Sequence, residues 1–297
     1  MGILLVNLGT PAAPTPEAVR AYLREFLSDP RVVKLPRPVW LPILHFVLKK
    51  RAPQSAEKYR SIWTPQGSPL AFHTREQARL LAARTGLQVQ YAMRYGEPSI
   101  AQALKEFRET PLVLPLYPQY AESTTESIAD VLPPGTAMVR SFHDHPAYIG
   151  ALAEGVRRHW QANGRSPLLV MSFHGLPKRG AGHYEAQCAA TARLLASALS
   201  LEEREWRLTF QSRFGYADWL QPYTEATIVA LARAGRERID VVCPGFVSDC
   251  LETLEEIGIA ARRAFHAAGG KVLHLVPCLN ESPAWIEALG AICRKGP

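Results

Sequence analysis

The chain has 297 residues, 47% of them hydrophobic and 21% charged, so it reads as globular, with room for one large α/β unit or two of ordinary size. Its net charge of +7 favours anionic small molecules or anionic lipid; with no basic block longer than Lys49-Lys50-Arg51, nucleic acid is not expected. Cys188, Cys243, Cys250, Cys278 and Cys293 are widely spaced without a C-x-x-C, which argues against a disulfide framework or a standard zinc or iron–sulfur motif and for a reducing cytoplasm.

Apolar runs that read as strands lie at 3–8 (ILLVNL), 87–93 (LQVQYAM), 111–117 (PLVLPLY), 167–173 (PLLVMSF), 206–212 (WRLTFQS), 238–246 (RIDVVCPGF) and 271–277 (KVLHLVP). Helical patterns lie between them, among them 147–160, 185–199 and 224–234. This alternation predicts parallel sheets covered by helices on both faces, with ligands at the carboxyl ends of the strands. Strand-like sequence begins at Ile3 without a charged leader, so no signal peptide is expected. The longest nearly apolar run, 39–48, is well short of the ~18–20 residues of a spanning helix. Neither opening strand is followed by a phosphate-binding glycine motif.

The two halves repeat in outline. "LLVNLGTP" (4–11) resembles "LLVMSFHGLP" (168–177), "MRYG" (93–96) resembles "SRFG" (212–215), and "VLPLY" (113–117) resembles "VCPGF" (242–246). The first half spends 109 residues between Leu4 and Val113, the second 74 between Leu168 and Val242. The surplus falls on 35–70, which holds six prolines, "VWLPILHFVL" and "KKR" and has no counterpart after His174. The expected fold is therefore α/β, two similar Rossmann-like halves with parallel four-stranded sheets facing a cleft.

His174 stands where an apolar strand meets the turn-formers Gly175 and Pro177. It is either a hydrogen-bonded histidine closing a strand or a base and metal ligand at the strand's carboxyl end. Asp249 and Glu252 have capping-box spacing, with Asp249 as N-cap, while Glu252 and Glu256 stand at i and i+4 on one helical face. Glu252 thus reads either as a cap or as a carboxylate at the mouth of a strand. The aromatic stretch 210–224 with Arg213 reads mainly as core and turn. Hydroxyls at Ser123, Thr124 and Thr125 either bind carboxylates or cap a helix. The "HDHP" at 143–146 reads as a polar link more readily than as a metal site.

"LLVNLGTP", "FLSDPRVV", "GSPL", "AMRYGEP", "LPLYPQY", "SFHGLP", "FQSRFG…WLQPYT" and "PGFVSDCLETLEEI" occur in this order. Over nearly its whole length the chain resembles the ferrochelatases, and "NLGTP" resembles their protoporphyrin-using bacterial branch. The resemblance implies that His174 lies at the metal site, that Glu252 faces it across a porphyrin plane, and that Glu256 belongs to an acidic path to the surface. It implies that 35–70 is a lip over the macrocycle. It also implies that the first half comprises 1–140 with 280–297, and that 141–279 carries the metal site. Departures are Cys250, where many members have histidine, Ala260, which shortens the acidic row, and "AGH" after "HGLPKRG".

The implied activity is insertion of Fe²⁺ into protoporphyrin IX with release of two protons. Fe²⁺ is then a substrate, and neither a prosthetic group nor an iron–sulfur cluster is expected. Arg31, Tyr95 and Tyr117 are candidate contacts to the substrate. The alternatives are a cobalt or iron chelatase acting on coproporphyrin or sirohydrochlorin, and a non-catalytic porphyrin or haem carrier. Residues 39–51, apolar then basic, suit peripheral contact with an anionic membrane by a cytoplasmic protein.

Overall fold

The computed structural model describes residues 2–213 and 217–296. They sort into two compact units, Met1–Ser141 with Leu289–Pro297, and Phe142–Ala288. The first is built on β1 (Ile3–Gly9), β2 (Val89–Tyr95) and β3 (Leu112–Pro115), all parallel, in the order β2-β1-β3. Every residue of β1 but Leu8 is buried, as a strand covered on both faces requires. Three helices separate β1 from β2: α1 (Pro16–Leu27), α2 (Arg37–Ile62) and α3 (Pro69–Thr85). Thr15 caps α1 by accepting from Ala18 N, and Gly86 ends α3 in the left-handed conformation. The short α4 (Ile100–Leu104) links β2 to β3.

Four strands are expected in this sheet and three form. The fourth place holds a single parallel bridge, Val113 to Met138, closed by Val113 N→Ala137 O and Val139 N→Val113 O at 2.9 and 3.0 Å. The segment has no room to extend: Pro133, Pro134 and Gly135 precede it, and the unit ends at Ser141.

The proline-rich insertion is mostly one 26-residue helix, α2. Pro38 in its first turn removes no needed donor, but Pro42 and Pro53 lie inside and each removes one. Packing offsets this. Trp40, Leu44, Leu48, Ala52, Ala56 and Tyr59 form a buried stripe, and Trp40 Nε1 donates to Leu27 O at the end of α1 (2.6 Å). The opposite face leaves Val39, Ile43 and Phe46 exposed.

The second unit contains β4 (Leu169–His174), β5 (Trp206–Gln211), β6 (Arg238–Val242) and β7 (Val272–Leu275), parallel in the order β5-β4-β6-β7. Its helices are α6 (Pro146–Asn163), α7 (Gly182–Ala198), α8 (Thr224–Arg233) and α9 (Arg262–Ala267), while α10 (Pro283–Lys295) runs through the boundary at Leu289. On one face of the sheet Ile239, Val241 and Leu273 pack with Ile228 of α8 and Phe265 of α9.

The units share a register. Val6 and Asn7 pair with Ala92 and Met93, as Ser172 and Phe173 pair with Thr209 and Phe210. Met93 N donates to Pro98 O and Phe210 N to Pro222 O, both at 2.8 Å, and both prolines follow cis peptide bonds. Leu8-Gly9-Thr10-Pro11 thus occupies the place of His174-Gly175-Leu176-Pro177. Met93 matches Phe210, so "MRYG" answers to 210–213 and not to 212–215. The loop to the cis-proline is longer in the second unit, which hid the offset; Phe214 and Gly215 of "SRFG" lie outside the described residues.

After the third strand each unit enters a π-helical segment: Glu122–Glu126 leading into α5 (Ser127–Ala129), and Leu251–Ala261 leading into α9. Both start from an extended N-cap, Ala121 and Cys250.

Candidate functional site

His174 is the last residue of β4. Its Nδ1 lies 2.6 Å from Gly175 O. A carbonyl only accepts, so Nδ1 carries the proton and Nε2 is the basic nitrogen. The backbone around it is fixed: Tyr184 Oη donates to His174 O (2.8 Å) and Gly175 N to Gln211 O (2.8 Å). A Cβ on Gly175 would lie 2.8 Å from Gln211 O, so glycine is needed for this approach. Pro177, Lys178 and Leu220 tie the following loop to residues 218–220, through the Pro177–Trp219 bridge, Lys178 N→Asp218 O and Leu220 N→Leu176 O.

Gln211, the register partner of His174 at the end of β5, is buried and uses both ends of its amide. Its Oε1 accepts from Ser172 Oγ (2.6 Å), and its Nε2 donates to Glu252 O (2.7 Å) and reaches Glu256 Oε2 (3.4 Å). Ser212 follows in the left-handed region, φ 65°, and grips Glu256 twice: N→Oε1 and Oγ→Oε2, both 2.6 Å. The end of β5 therefore holds the segment that carries both glutamates.

Burial pushes the Glu256 carboxyl up; the Ser212 hydroxyl and the nearby His174 imidazole pull it down, and Glu252 adds to the rise. His174 and Glu252 thus both act electrostatically on Glu256 within this unit.

The expected cap is displaced by one residue. Cys250, not Asp249, is the N-cap, and Thr253, not Glu252, completes the box by accepting from Cys250 N (3.0 Å). Asp249 Oδ1 accepts from Thr253 Oγ1 (3.0 Å) and Cys278 N (3.4 Å), and its Oδ2 from Asn280 Nδ2 (2.7 Å). A threonine hydroxyl closes the turn, and Glu252 is released from the capping that its spacing suggested. Burial, with the Glu252 charge adding, pushes the Cys250 thiol well up, so it stays neutral at physiological pH.

The remaining candidates have other partners. Arg31 makes a two-pronged pair with Asp130 (2.7 and 2.9 Å) in the first unit, which holds its guanidinium protonated. Tyr95 is buried; its hydroxyl donates to Asp29 Oδ2 (2.8 Å) and lies 2.9 Å from Ser127 Oγ, and Arg94 joins Asp29 at 2.7 Å. Tyr117 packs against the core of Leu4, Val6 and Val113. In "HDHP", His145 caps α6 by accepting from Ala147 N (3.3 Å). Thr124 Oγ1 bonds Ala121 O (3.3 Å) in the opening turn of its π-helical segment. Sequence reading missed Gln211 and Ser212; the available signal was two consecutive polar residues where β5 ends, beside the histidine strand.

Two solved structures share this fold: SirB from Bacillus subtilis with Fe³⁺ (TM-score 0.59, 13% identity, 99% of this chain and 94% of that one) and CbiX of siroheme biosynthesis in denitrifying bacteria (TM-score 0.52, 15% identity, 99% of both). The architecture is that of the chelatases. A family model described as Ferrochelatase matches residues 1–296. Curated ferrochelatases of Aromatoleum aromaticum and Azoarcus sp. are 55% and 54% identical, across 99% and 97% of this chain and 87% and 85% of theirs. The chain belongs to the ferrochelatase family.

Proposed function

We propose that the protein inserts Fe²⁺ into protoporphyrin IX, releasing two protons and yielding protohaem. The observation that carries this reading is His174 at the carboxyl end of β4, with Nδ1 given to Gly175 O, on a framework that also holds Glu252 and Glu256 through Gln211 and Ser212. Metal insertion requires two pyrrole N–H protons to leave as the cation enters. His174 Nε2 accepts one, and general base work of this kind contributes ~10²–10⁴-fold. Glu252 is the opposed carboxylate, for metal delivery or removal of the second proton; imidazole and carboxylate both suit Fe²⁺. Glu256, whose carboxyl burial pushes up, passes protons or metal onward. Arg31, Tyr95 and Tyr117 are the first unit's candidate contacts to the substrate, Tyr95 by holding Asp29 and Arg94 in place.

An anaerobic assay of Fe²⁺ with protoporphyrin, coproporphyrin or sirohydrochlorin tests this by absorption. Turnover is expected with protoporphyrin. Turnover only with another tetrapyrrole replaces the substrate, and binding without turnover replaces the enzyme with a carrier. His174→Ala and Glu252→Gln should each lower insertion by at least ~10²-fold with an unchanged melting curve. Near-wild-type turnover in either variant removes that residue from the mechanism. Glu252→Gln is the cleaner test because Thr253, and not Glu252, caps the segment.

We also propose that the protein works at the surface of an anionic membrane through α2. No helix among the described residues is long and apolar enough to cross a bilayer. The support is the exposed face of Val39, Ile43 and Phe46, with Lys49 5.1 Å from the Phe46 ring and Lys50 beside it.

A further inference from the structure

The sheet of the second unit carries a separate cluster of donor groups far from His174. Asp240 on β6 is level with Leu169, the first residue of β4, and His174 is the last. Five residues at ~3.3 Å each put the two levels roughly 16 Å apart. Asp240 and His274 are direct register partners across β6 and β7, so their side chains share a face. Helix α6 adds His159, whose ring centroid is 5.4 Å from that of His274. One donor atom from each of the three lies within 4.8 Å of the others, the one such grouping of three among the described residues.

The hydrogen bonding is unbalanced in a specific way. Asp240 is 0% exposed, and its carboxylate is held by Ser166 Oγ (2.6 Å to Oδ1), Trp160 Nε1 (2.8 Å to Oδ2) and Ser166 N (3.2 Å to Oδ2). His274 Nδ1 lies 3.3 Å from Oδ1. His159 Nδ1 is near Asn163 Nδ2 (3.4 Å), but its Nε2 is shut off from water and has no hydrogen-bond partner. A buried nitrogen left without a partner is costly.

We propose that His159, Asp240 and His274 bind a divalent first-row cation of the zinc class, distinct from the iron-insertion site. Two neutral imidazoles and one carboxylate are a donor set for such ions, with water completing the shell. Burial pushes the His159 pKa down, which keeps its lone pair available at neutral pH; Asp240 opposes this, and His274 and Arg238 add to it. Trp160 and Ser166 orient the carboxylate from behind. Arg238 is the opposing charge, but its N–H groups go to Ser166 Oγ, Asn163 O and Gly164 O. Bonds of ~2.0–2.2 Å require the two rings to turn inward, with no change of strand register. The ion would clamp α6 to β6 and β7.

The test uses the full chain, stripped with chelator and dialysed against Zn²⁺ alone. A His174→Ala/Glu252→Gln double variant should retain one equivalent of zinc, and adding His159→Ala or His274→Ala should abolish it. His159→Ala on its own should lose that equivalent and keep iron insertion. Unchanged stoichiometry in both histidine variants, or no zinc in the double variant, overturns the proposal. X-ray absorption of the zinc-loaded double variant needs no change at the new site and decides the matter should those variants fold poorly. A shell of two imidazoles with oxygen supports the assignment, and a sulfur-containing shell overturns it.

Discussion

A single residue step at the start of the second π-helical segment decides what Glu252 is for. From spacing, Asp249 and Glu252 form a cap; in the structure Cys250 and Thr253 do. Both pairs are three apart, so spacing could not separate them. The difference is set by Asn280 and Cys278, distant in sequence, which occupy Asp249 and hold it away from the helix amides. Glu256 offers a pH prediction at the same scale. Its folded pKa is raised by burial above the unfolded value near 4.5. The folded state then holds more protons than the unfolded state between the two pKa values, so this group's contribution is full below ~4.5 and is lost as pH rises through the folded pKa. Urea midpoints from pH 4 to 8 should show that loss in the wild type and a flatter profile in Glu256→Gln; identical profiles would detach the slope from this residue.

Among the elements, strands were the most legible and the insertion the least. Buried parallel strands announce themselves as apolar runs, and all seven formed within a few residues of expectation, β6 stopping at Val242 just ahead of Pro244. Helix α2 was hidden by its own prolines: two interior breaks argue against a helix, and only the Trp40-to-Tyr59 stripe packed near α1 outweighs them. The π-helical segments were illegible for a different reason. Their i→i+5 ladder has no hydrophobic period of its own in sequence, although such segments often mark functional sites. The α2 face carries its own prediction. Ile43→Ser/Phe46→Ser should reduce sedimentation with phosphatidylserine vesicles at least ~10-fold, by removing roughly 3 kcal/mol or more of buried apolar side chain. Equal sedimentation of wild type and variant would leave that face to cover substrate instead.

For the whole molecule, the repeat is the informative feature. It was visible in sequence at the strand tips, where Gly9 and Gly175 align, and misread by two residues at β2 and β5 because the loop to the cis-proline differs in length. The two glycines test the shared register in each unit separately. A Cβ on Gly9 would lie 1.7 Å from Tyr95 O at φ 119°, whereas on Gly175 it would lie 2.8 Å from Gln211 O at an ordinary φ. Gly175→Ala should cost about 1–3 kcal/mol and Gly9→Ala more, as read from denaturant midpoints; the reverse order would contradict the closer backbone approach at Gly9.

The position of α2 has a practical corollary. The pairing of β1 with β2 runs from Ile3–Val89 to Gly9–Tyr95, while α2 docks on α1. Residues 37–62 therefore lie outside the strand pairing itself. Chimeras carrying the same segment from another chain of this fold should acquire that chain's surface preference while the strands keep their alignment.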